Sequence, residues 1–173
     1  MIGKLETVPA LSATDLLAPP VAAALHDLDI LVAPIDPTLA DTAEFCAAYD
    51  VGLDQSANCV VVAGKRDGEV RYAVCVILAT TRADVNGTVR KHLDARKISF
   101  AAMDTAVSLT GMEYGGITPV GLPADWPILV DQNVAEREHL IIGSGVRGSK
   151  LLAAPDVLSA LPSAEVLAIV KTS

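Results

Sequence analysis

Two glycine-rich segments are the places in this sequence where the backbone itself could carry chemistry. Residues 111–121 read GMEYGGITPVG, and residues 143–148 read GSGVRG between two apolar runs. A loop as long as the first is usually functional or disordered in a compact domain. Paired glycines let backbone amides come close to a ligand, and Pro119 stiffens the end of the loop. Taken alone, each segment is also compatible with a tight structural turn, which is slightly favoured for a lone glycine loop.

Side chains that commonly carry catalysis or bind metals are sparse. The three histidines, His26, His92 and His139, are far apart, and the three cysteines show no CxxC spacing. This pattern predicts neither a zinc site nor a disulfide framework, and it favours a reducing cytoplasm. We therefore predict no metal and no cofactor. Cys59 is expected to be a small buried hydrophobic residue and not a reactive thiol.

The apolar pattern predicts short strands and helices that do not alternate strictly. An Asp-Gly pair at residues 67 and 68 favours a hairpin turn, because such turns need positive φ. The mixed order predicts an α/β fold of the mixed α+β class and not a doubly wound sheet. Strands are expected near residues 29–33, 58–63, 70–79, 98–100, 128–130, 140–142, 150–153 and 166–170, and helices near residues 21–28, 41–49, 84–94, 103–109 and from residue 155.

The length of 173 residues suits one domain. Residues 1–19 are expected to form a loose N-terminal lead-in, and residues 20–173 a single domain without a linker. Since 51% of the residues are hydrophobic, a domain of this size can form a large core without disulfides. No run approaches the roughly 20 apolar residues that cross a bilayer, and no signal-peptide pattern is present. A soluble cytoplasmic protein without membrane partners is predicted.

Charge is distributed unevenly along the chain. The net charge of −8 argues against broad capture of nucleic acid, and DNA is not predicted as a partner. Residues 64–97, however, carry eight Lys or Arg against four acidic residues. This basic island is either a solvated helix face with a hairpin tip or a phosphate-binding patch that includes Arg90 and Lys91. With two Phe, three Tyr and one Trp, the chain has few rings for stacking bases.

Four segments together resemble the YbaK-like family, also called the prolyl-tRNA synthetase-associated domain. Residues 115–121 (GGITPVG) are similar to its G-G-[VI]-[ST]-P-x-G loop. Residues 145–148 and 154–158 resemble its S-A-G-x-R-G turn and A-P-x-D-L segment. Residues 42–52 resemble its T-A-E-x-A-A helix and the A-x-G-V stretch that closes it. The similarity extends from about residue 29 to the C-terminus, and the glycine-proline loop is its most specific part.

The resemblance implies a mixed, partly barrel-like sheet with surrounding helices, and a hydrolase that acts in trans on the ester bond of a mischarged tRNA. Backbone amides of Gly116, Ile117 and Thr118 would stabilise the oxyanion, each contributing about 3 kcal/mol. The substrate's own 2′-hydroxyl helps to activate water, so no protein base is implied. Oligomeric state stays open. The residues implied to bind the 3′ end of the aminoacyl-tRNA are Asn58, Gly115, Pro119, Ser144, Gly145 and Arg147.

Two positions depart from the family pattern. The lysine that this family carries at the start of a central strand falls on Asn58, and the serine of its S-A-G turn falls on Gly143. Asn offers only a neutral donor and acceptor where an ammonium would be a strong point charge. Two hypotheses remain. The first is an editing hydrolase in which Asn58 is tolerated or is compensated by Arg147 or Lys150. The second is an inactive module that binds an aminoacyl-adenosine-like ligand or a protein partner. In both, Asn58 and the two glycine loops are expected to line one pocket.

Overall fold

The computed structural model describes residues 3–25 and 28–171. None of the helices in these residues is long and apolar enough to cross a membrane. The strands are β1 (Val8–Pro9), β2 (Ile30–Pro34), β3 (Ala57–Arg66), β4 (Glu69–Leu78), β5 (Lys97–Phe100), β6 (Ile128–Asp131), β7 (Leu140–Gly143), β8 (Ser149–Ala153) and β9 (Ala164–Leu167). The α-helices are α1 (Pro19–Ala24), α2 (Thr42–Tyr49), α3 (Arg90–His92), α4 (Met103–Thr110), α5 (Gln132–Ala135) and α6 (Pro155–Ser159), and a π-helical turn, Val85–Val89, directly precedes α3.

The strands form two sheets. One contains β1, β2, β8 and β7 in that order, and its neighbours are antiparallel. The other contains β5, β3, β4, β6 and β9, in which β6 runs parallel to both of its neighbours. An isolated bridge between Ser56, just before β3, and Ile141 of β7 connects the two sheets. The predicted mixed α+β fold is confirmed, and the two sheets do not close into a barrel.

Strand β4 shows how the core is divided. Val74 and Val76 belong to the main core, which the two sheets share, whereas Ala73 and Cys75, which alternate with them, belong to a second core. Successive side chains of a strand point to opposite faces, so a continuous apolar run indicates a strand covered on both sides. The π-helical turn covers the second face, and α2 packs on a third cluster over the four-stranded sheet. The five-stranded sheet therefore has hydrophobic side chains packed on both of its faces.

The hairpin between β3 and β4 confirms the turn predicted from the Asp-Gly pair. Asp67 and Gly68 have φ values of 51° and 82°, and Arg66 pairs with Glu69 across them. Positive φ at both central residues gives a turn whose twist matches that of the flanking strands. Each strand is 10 residues long, so the hairpin tip lies far from the start of β3.

The helix predicted over residues 84–94 begins with a different hydrogen-bond pattern. The N–H of Val89 donates to the carbonyl oxygen of Asp84, five residues earlier, at 3.1 Å. The Asp84 carboxylate accepts from the N–H of Thr88 at 3.0 Å and thereby caps the turn. A side-chain cap of this kind competes with the ordinary helical pattern, which periodicity alone does not reveal.

Other differences lie at the ends of elements. The last strand, predicted over residues 166–170, is β9, and the first helix, predicted over residues 21–28, is α1. Residues 26 and 27 lie outside the described ranges, and so does the prediction for His26. Helix α5 was not predicted, because four residues are too few to show a helical period.

The predicted lead-in contacts the rest of the chain. Strand β1 pairs with β2, and Leu5, Ala10 and Leu17 are buried. The N–H of Ala18 donates to the carbonyl oxygen of Ser144 at 3.3 Å. These contacts place part of residues 3–18 next to the second glycine loop. The domain boundary predicted at residue 19 stays a prediction.

Candidate functional site

A pocket of about 350 Å³ opens where the two sheets meet. This volume lies within the range of about 300–1,000 Å³ that is usual for ligand-binding pockets. One wall is formed by residues 40–42, where the chain enters α2, and another by residues 56–61, at and just before the start of β3. The region from the end of β5 into α4 and the first glycine loop form the other walls of the pocket. Gly143 of β7 and Lys150 of β8 complete it.

The two glycine loops are joined by hydrogen bonds in both directions. The N–H of Gly145 donates to the carbonyl oxygen of Gly116 at 2.7 Å, and the N–H of Glu113 donates to the carbonyl oxygen of Gly145 at 2.8 Å. The Glu113 carboxylate accepts from the N–H of Arg147 at 2.8 Å. The Arg147 guanidinium donates to the carbonyl oxygen of Tyr114 at 3.3 Å. The register of one loop against the other is therefore fixed.

Glycines are required at this contact because the loops lie too close for side chains. A Cβ added to Gly143 would collide with the carbonyl oxygens of Gly116 and Ile117. A Cβ added to Gly116 would lie 2.7 Å from the carbonyl oxygen of Val146. Gly145 has φ of 89°, which L side chains rarely adopt. These glycines serve contact between the loops, whereas their sequence pattern had suggested close approach to a ligand.

The three predicted oxyanion donors occupy different positions. The N–H of Gly116 donates to the carbonyl oxygen of Glu113 at 2.9 Å, so it is not free for a ligand in this conformation. Ile117 lines the pocket, whereas Thr118 and Pro119 are buried behind it. Among the described residues, no acceptor is present for the N–H of Ile117 or Thr118 or for the Thr118 hydroxyl. Ile117 and Thr118 thus retain unused backbone donors, and Gly116 does not.

The predicted substrate-binding residues divide into two groups. Asn58 and Gly115 line the pocket, whereas Pro119, Ser144 and Gly145 do not. The Ser144 hydroxyl is bonded inside the turn, to the carbonyl oxygens of Val146 and Ser149 and to the Ser149 hydroxyl. The Arg147 guanidinium lies 3.4 Å from the carboxylate of Asp41, which is itself a pocket residue. Ser144 and Gly145 therefore shape the turn behind the pocket, and Arg147 connects its rim to the loop before α2.

Lys150 brings a buried ammonium group to the pocket. It is 9% exposed and pairs with Gly143 across β7 and β8. Its Nζ donates to the carbonyl oxygen of Ala40 at 3.0 Å and lies 5.2 Å from the centre of the Phe45 ring. Within residues 3–25 and 28–171, no carboxylate forms an ion pair with it. The sequence indicated Lys150 only as a residue that could compensate for Asn58, because a lysine next to a serine at the start of a strand does not by itself indicate burial.

The electrostatic surroundings of Lys150 disfavour its charge. Burial lowers the pKa of Lys150 below the ordinary value of 10.5, and the nearby charge of Arg147 lowers it further. Cys46 and Asp41 act in the opposite direction with smaller effect. Burying a charge without a counter-charge destabilises a folded protein. Stability alone therefore does not account for a lysine at this position.

Asn58 and Lys150 are held by the same short loop. The Thr42 hydroxyl donates to Asn58 Oδ1 at 2.9 Å, and the Ala40 carbonyl oxygen accepts from Lys150. Asn58 comes from the five-stranded sheet and Lys150 from the four-stranded sheet. Residues 40–42 thus connect polar groups of both sheets at one wall of the pocket.

The environments of Cys59 and Cys75 disfavour the reactive thiolate form. Burial raises the pKa of the Cys59 thiol, and it raises the pKa of Cys75 to about 12. Both thiols therefore stay protonated at neutral pH. Cys59 is only half-buried, however, and lines the pocket, which differs from the prediction of a small buried hydrophobic residue. No three His, Cys, Asp or Glu side chains in the described parts of the chain are grouped as a metal site.

The fold and the pocket define a YbaK-like domain, in which a glycine-proline loop borders a partly polar cavity between two sheets. Residues 36–161 match the family model of the aminoacyl-tRNA editing domain, and this chain belongs to that family. The predicted resemblance is confirmed. The matched region includes both glycine loops, Asn58 and Lys150. An editing domain of this family engages aminoacyl-tRNA.

Solved structures agree on the fold. A candidate trans-editing enzyme for prolyl-tRNA synthetase is similar with a TM-score of 0.76 and 21% identity, covering 90% of this chain and 97% of its own. A scaffold protein used for computational epitope grafting is similar with a TM-score of 0.77 and 21% identity, with the same coverage. The protein APE2540 is similar with a TM-score of 0.70 and 22% identity, covering 82% and 90%. At these identities the likeness shows the fold alone.

Replacement of Gly143 by alanine tests the contact between the loops. The added Cβ would collide with carbonyl oxygens of the first loop, so we expect the free energy of unfolding to fall by about 1–3 kcal/mol. The matched control is Gly148→Ala in the same turn, where a Cβ would meet only Pro37 Cγ at 3.9 Å. Denaturant unfolding followed by the fluorescence of the buried Trp126 measures both. Equal losses in the two variants would contradict the proposed contact.

Replacement of Lys150 by methionine tests whether the lysine is structural. We expect the free energy of unfolding at neutral pH to stay equal or to rise by up to about 2 kcal/mol, because a buried charge is removed. Since the pKa of Lys150 is lower in the folded than in the unfolded state, the parent protein gains stability as pH rises through the folded pKa towards 10.5. The advantage of the variant should therefore shrink with rising pH. A loss of more than about 1 kcal/mol at neutral pH would identify the hydrogen bond to Ala40 as the reason for the lysine.

Proposed function

We propose that this protein hydrolyses the ester bond between a wrongly attached amino acid and the 3′-terminal ribose of a tRNA, acting in trans. Membership of the aminoacyl-tRNA editing family supports this proposal. The pocket supports it further, because it combines the ammonium group of Lys150 with Ile117, whose backbone N–H has no acceptor among the described residues. Editing of this kind is needed where a synthetase pocket separates similar small side chains by only about 10–200-fold.

The observation that carries the proposal is the ammonium group of Lys150. Within the part of the chain that the structure describes, one of its three N–H groups has an acceptor, the carbonyl oxygen of Ala40, and the other two have none. The carboxylate of Asp41, which attracts it from farther away, is paired with Arg147 at 3.4 Å. A ligand oxygen that gains negative charge during reaction would supply the missing counter-charge. Electrostatic stabilisation of this kind is strongest where water is excluded.

In the proposed reaction, water adds to the carbonyl carbon of the ester and the carbonyl oxygen becomes an oxyanion. The N–H group of Ile117 and the ammonium of Lys150 stabilise that charge, and one such donor contributes about 3 kcal/mol. Thr118 is fully buried behind the pocket, so its N–H would have to become accessible before it could act as the predicted second donor. Collapse of the intermediate re-forms the carbonyl and breaks the bond to the ribose 3′-oxygen. That oxygen takes up the proton that the attacking water loses. The products are a deacylated tRNA end and the carboxylic acid of the free amino acid, which releases its proton to the solvent and becomes a carboxylate.

The predicted binding residues have distinct tasks in this proposal. Asn58 Oδ1 already accepts from Thr42, so its Nδ2 group is the part that binds a ligand hydroxyl. Gly115 has φ of 88° and leaves space for the Arg147 guanidinium, which a Cβ would displace. Arg147 in turn holds Asp41 away from Lys150. The ammonium thereby stays available to the substrate.

Activity measurements on Lys150 variants test the function. Deacylation of a panel of mischarged tRNAs is expected in the parent protein. Lys150→Met should lower the rate about 10- to 150-fold, the equivalent of losing a charged hydrogen bond of about 1.5–3 kcal/mol. Lys150→Arg keeps a charge that does not titrate and should retain more activity. After subtraction of the uncatalysed rate, the activity of the parent protein should fall as the pH rises, and the fall should begin below pH 10.5 because the lowered pKa of Lys150 makes its ammonium lose its proton there. The activity of the arginine variant should not fall in this way.

A relocated charge provides the control. In the double variant Asn58→Lys/Lys150→Met, an ammonium returns to the pocket from β3. We expect this double variant to deacylate about ten-fold faster than Lys150→Met. Asn58→Met/Lys150→Met, of similar volume and without charge, should stay at the level of Lys150→Met. Full activity of Lys150→Met would show that Lys150 does not act on the ester. A parent protein without activity on any substrate would favour the binding module over the hydrolase.

Two lysines of the basic island lie side by side on the five-stranded sheet. Lys65 of β3 and Lys97 of β5 are directly paired, both are exposed, and neither forms an ion pair among the described residues. Like charges that face each other across a sheet are destabilising, so an external anion would relieve them. Lys65 lies about 23 Å from Asn58 along β3, at about 3.3 Å per residue. We infer that this pair contacts phosphates of the tRNA at a distance from its 3′ end.

Charge reversal at this pair tests the tRNA contact. Lys65→Glu/Lys97→Glu should weaken tRNA binding and reduce the slope of log affinity against log salt by about 1.5, because two phosphate contacts are lost. Arg90, predicted in this patch, suits the test less well, since its guanidinium bonds to the carbonyl oxygens of Asn86 and Ala95. Lys4→Glu/Lys171→Glu changes the net charge equally at other exposed positions. If the slope of log affinity against log salt is the same in both double variants, Lys65 and Lys97 do not contact the tRNA, and their charge is only part of the solvated surface.

A further inference from the structure

The aromatic residues of this protein fall into two groups. The chain has two Phe, three Tyr and one Trp. Phe45 stacks on Tyr49 with ring centres 5.4 Å apart, and Tyr72 stacks on Trp126 at the same distance. Four of the six rings are thus partnered inside the protein. The remaining two are Phe100 and Tyr114.

Phe100 and Tyr114 are both exposed, and both line the same pocket. Phe100 is 64% exposed at the end of β5, and Tyr114 is 53% exposed in the first glycine loop. They come from different elements and reach one opening. An exposed aromatic residue is unremarkable by itself, but two of them at the mouth of a cavity indicate a ligand with a flat apolar face.

The backbone that carries each ring is held in place. Phe100 pairs with Val62 in the sheet, so its position is set by β3. The carbonyl oxygen of Tyr114 accepts from the Arg147 guanidinium at 3.3 Å, which ties this residue to the second glycine loop. Rings on a fixed backbone lose little conformational entropy when a ligand binds. The mouth of the pocket is therefore prepared for stacking.

We propose that Phe100 and Tyr114 bind the terminal nucleobase of the tRNA while the aminoacyl ester enters the pocket between them. This inference rests on the proposed function and adds a base-binding site to it. Every base has a π-face, and stacking on an aromatic side chain is tolerant of sequence. The polar groups, Asn58 and Lys150, lie in the pocket where the ester belongs. One base needs far fewer rings than the extended stacking platforms that the composition argued against.

A second protein molecule is a poorer occupant of this opening. A stable protein interface buries about 800 Å² on each partner, with some 20–30 residues a side. The feature here is a pair of rings around a cavity that contains an ammonium and an amide. A nucleobase joined to an ester matches both the flat rim and the polar interior.

Binding of a short RNA tests the base site without any need for hydrolysis. The probe is a tetranucleotide ending in CCA, and the comparison probe carries an abasic 3′-terminal residue. Phe100→Ala and Tyr114→Ala should each weaken binding of the first probe about 5- to 150-fold. Tyr114→Phe, which keeps the ring, should bind within about two-fold of the parent. Thermal unfolding of each variant checks that the fold is intact.

The abasic probe separates stacking from other effects. If the rings contact the terminal base, the parent protein should bind the abasic probe more weakly than the CCA probe. The alanine variants should bind the abasic probe as tightly as the parent protein does, because the ring they lack has no base to contact. An equal loss of affinity for both probes in the alanine variants would overturn the base site. So would unchanged RNA binding together with a changed monomer–dimer equilibrium, which would identify a self-association surface. A base site found in a protein without deacylase activity would remove the hydrolase proposal and leave this inference standing.

Discussion

The hydrogen bond from the N–H of Gly145 to the carbonyl oxygen of Gly116 is the contact on which the site depends. At 2.7 Å it joins two loops that would otherwise move independently, because exposed loops are the mobile parts of a fold. It can form only where neighbouring residues lack side chains, as Gly143 and Gly116 do. The same contact leaves the Ile117 N–H without an acceptor among the described residues, beside the pocket. In the proposed reaction the Ile117 N–H stabilises an oxyanion, and such a donor must be rigid before the reaction begins. The glycines therefore supply rigidity through the loop that they pack against.

The junction of the two sheets determines which side chains meet at that donor. The bridge between Ser56 and Ile141 brings the start of β3 next to β7, and β8 follows as the neighbour of β7. Asn58 and Lys150 thus reach one cavity from different sheets, and residues 40–42 bind both. This arrangement explains why the pocket lies beside the hydrophobic core and still contains polar groups. Each polar side chain is anchored by one hydrogen bond to the loop and retains further hydrogen-bonding groups for a ligand.

Local signals in the sequence predicted local structure well. The Asp-Gly turn, the helix that begins at Thr42 and the position of both glycine loops follow from residue types whose backbone preferences are strong. The use of Gly116 could not be predicted, because its N–H is bound by Glu113 within the loop, and that depends on how the loop folds. Burial of Lys150 depends on the pairing of β8 with both β2 and β7, which no local pattern specifies. The exposure of Phe100 and Tyr114 could not be predicted either, because it depends on how distant segments pack. Hydrophobic residues are expected inside, and only the packed structure shows which ones remain outside.

Under the proposed function, the ammonium of Lys150 has the role that the family resemblance assigns to a lysine at residue 58, where this chain has Asn. Coulomb energy depends on the distance between charges and not on the strand that carries them, so an ammonium from β8 can act on the same ligand atom as one from β3. Two ammonium groups in one buried pocket would repel each other, and each would lower the pKa of the other. With Arg147 already lowering the pKa of Lys150, a second lysine beside it would make the charged state harder still to maintain. Asn58 avoids this repulsion and keeps a hydrogen bond to Thr42. Under this interpretation the chain retains one cation in the pocket, and the asparagine at residue 58 is a consequence of where that cation lies.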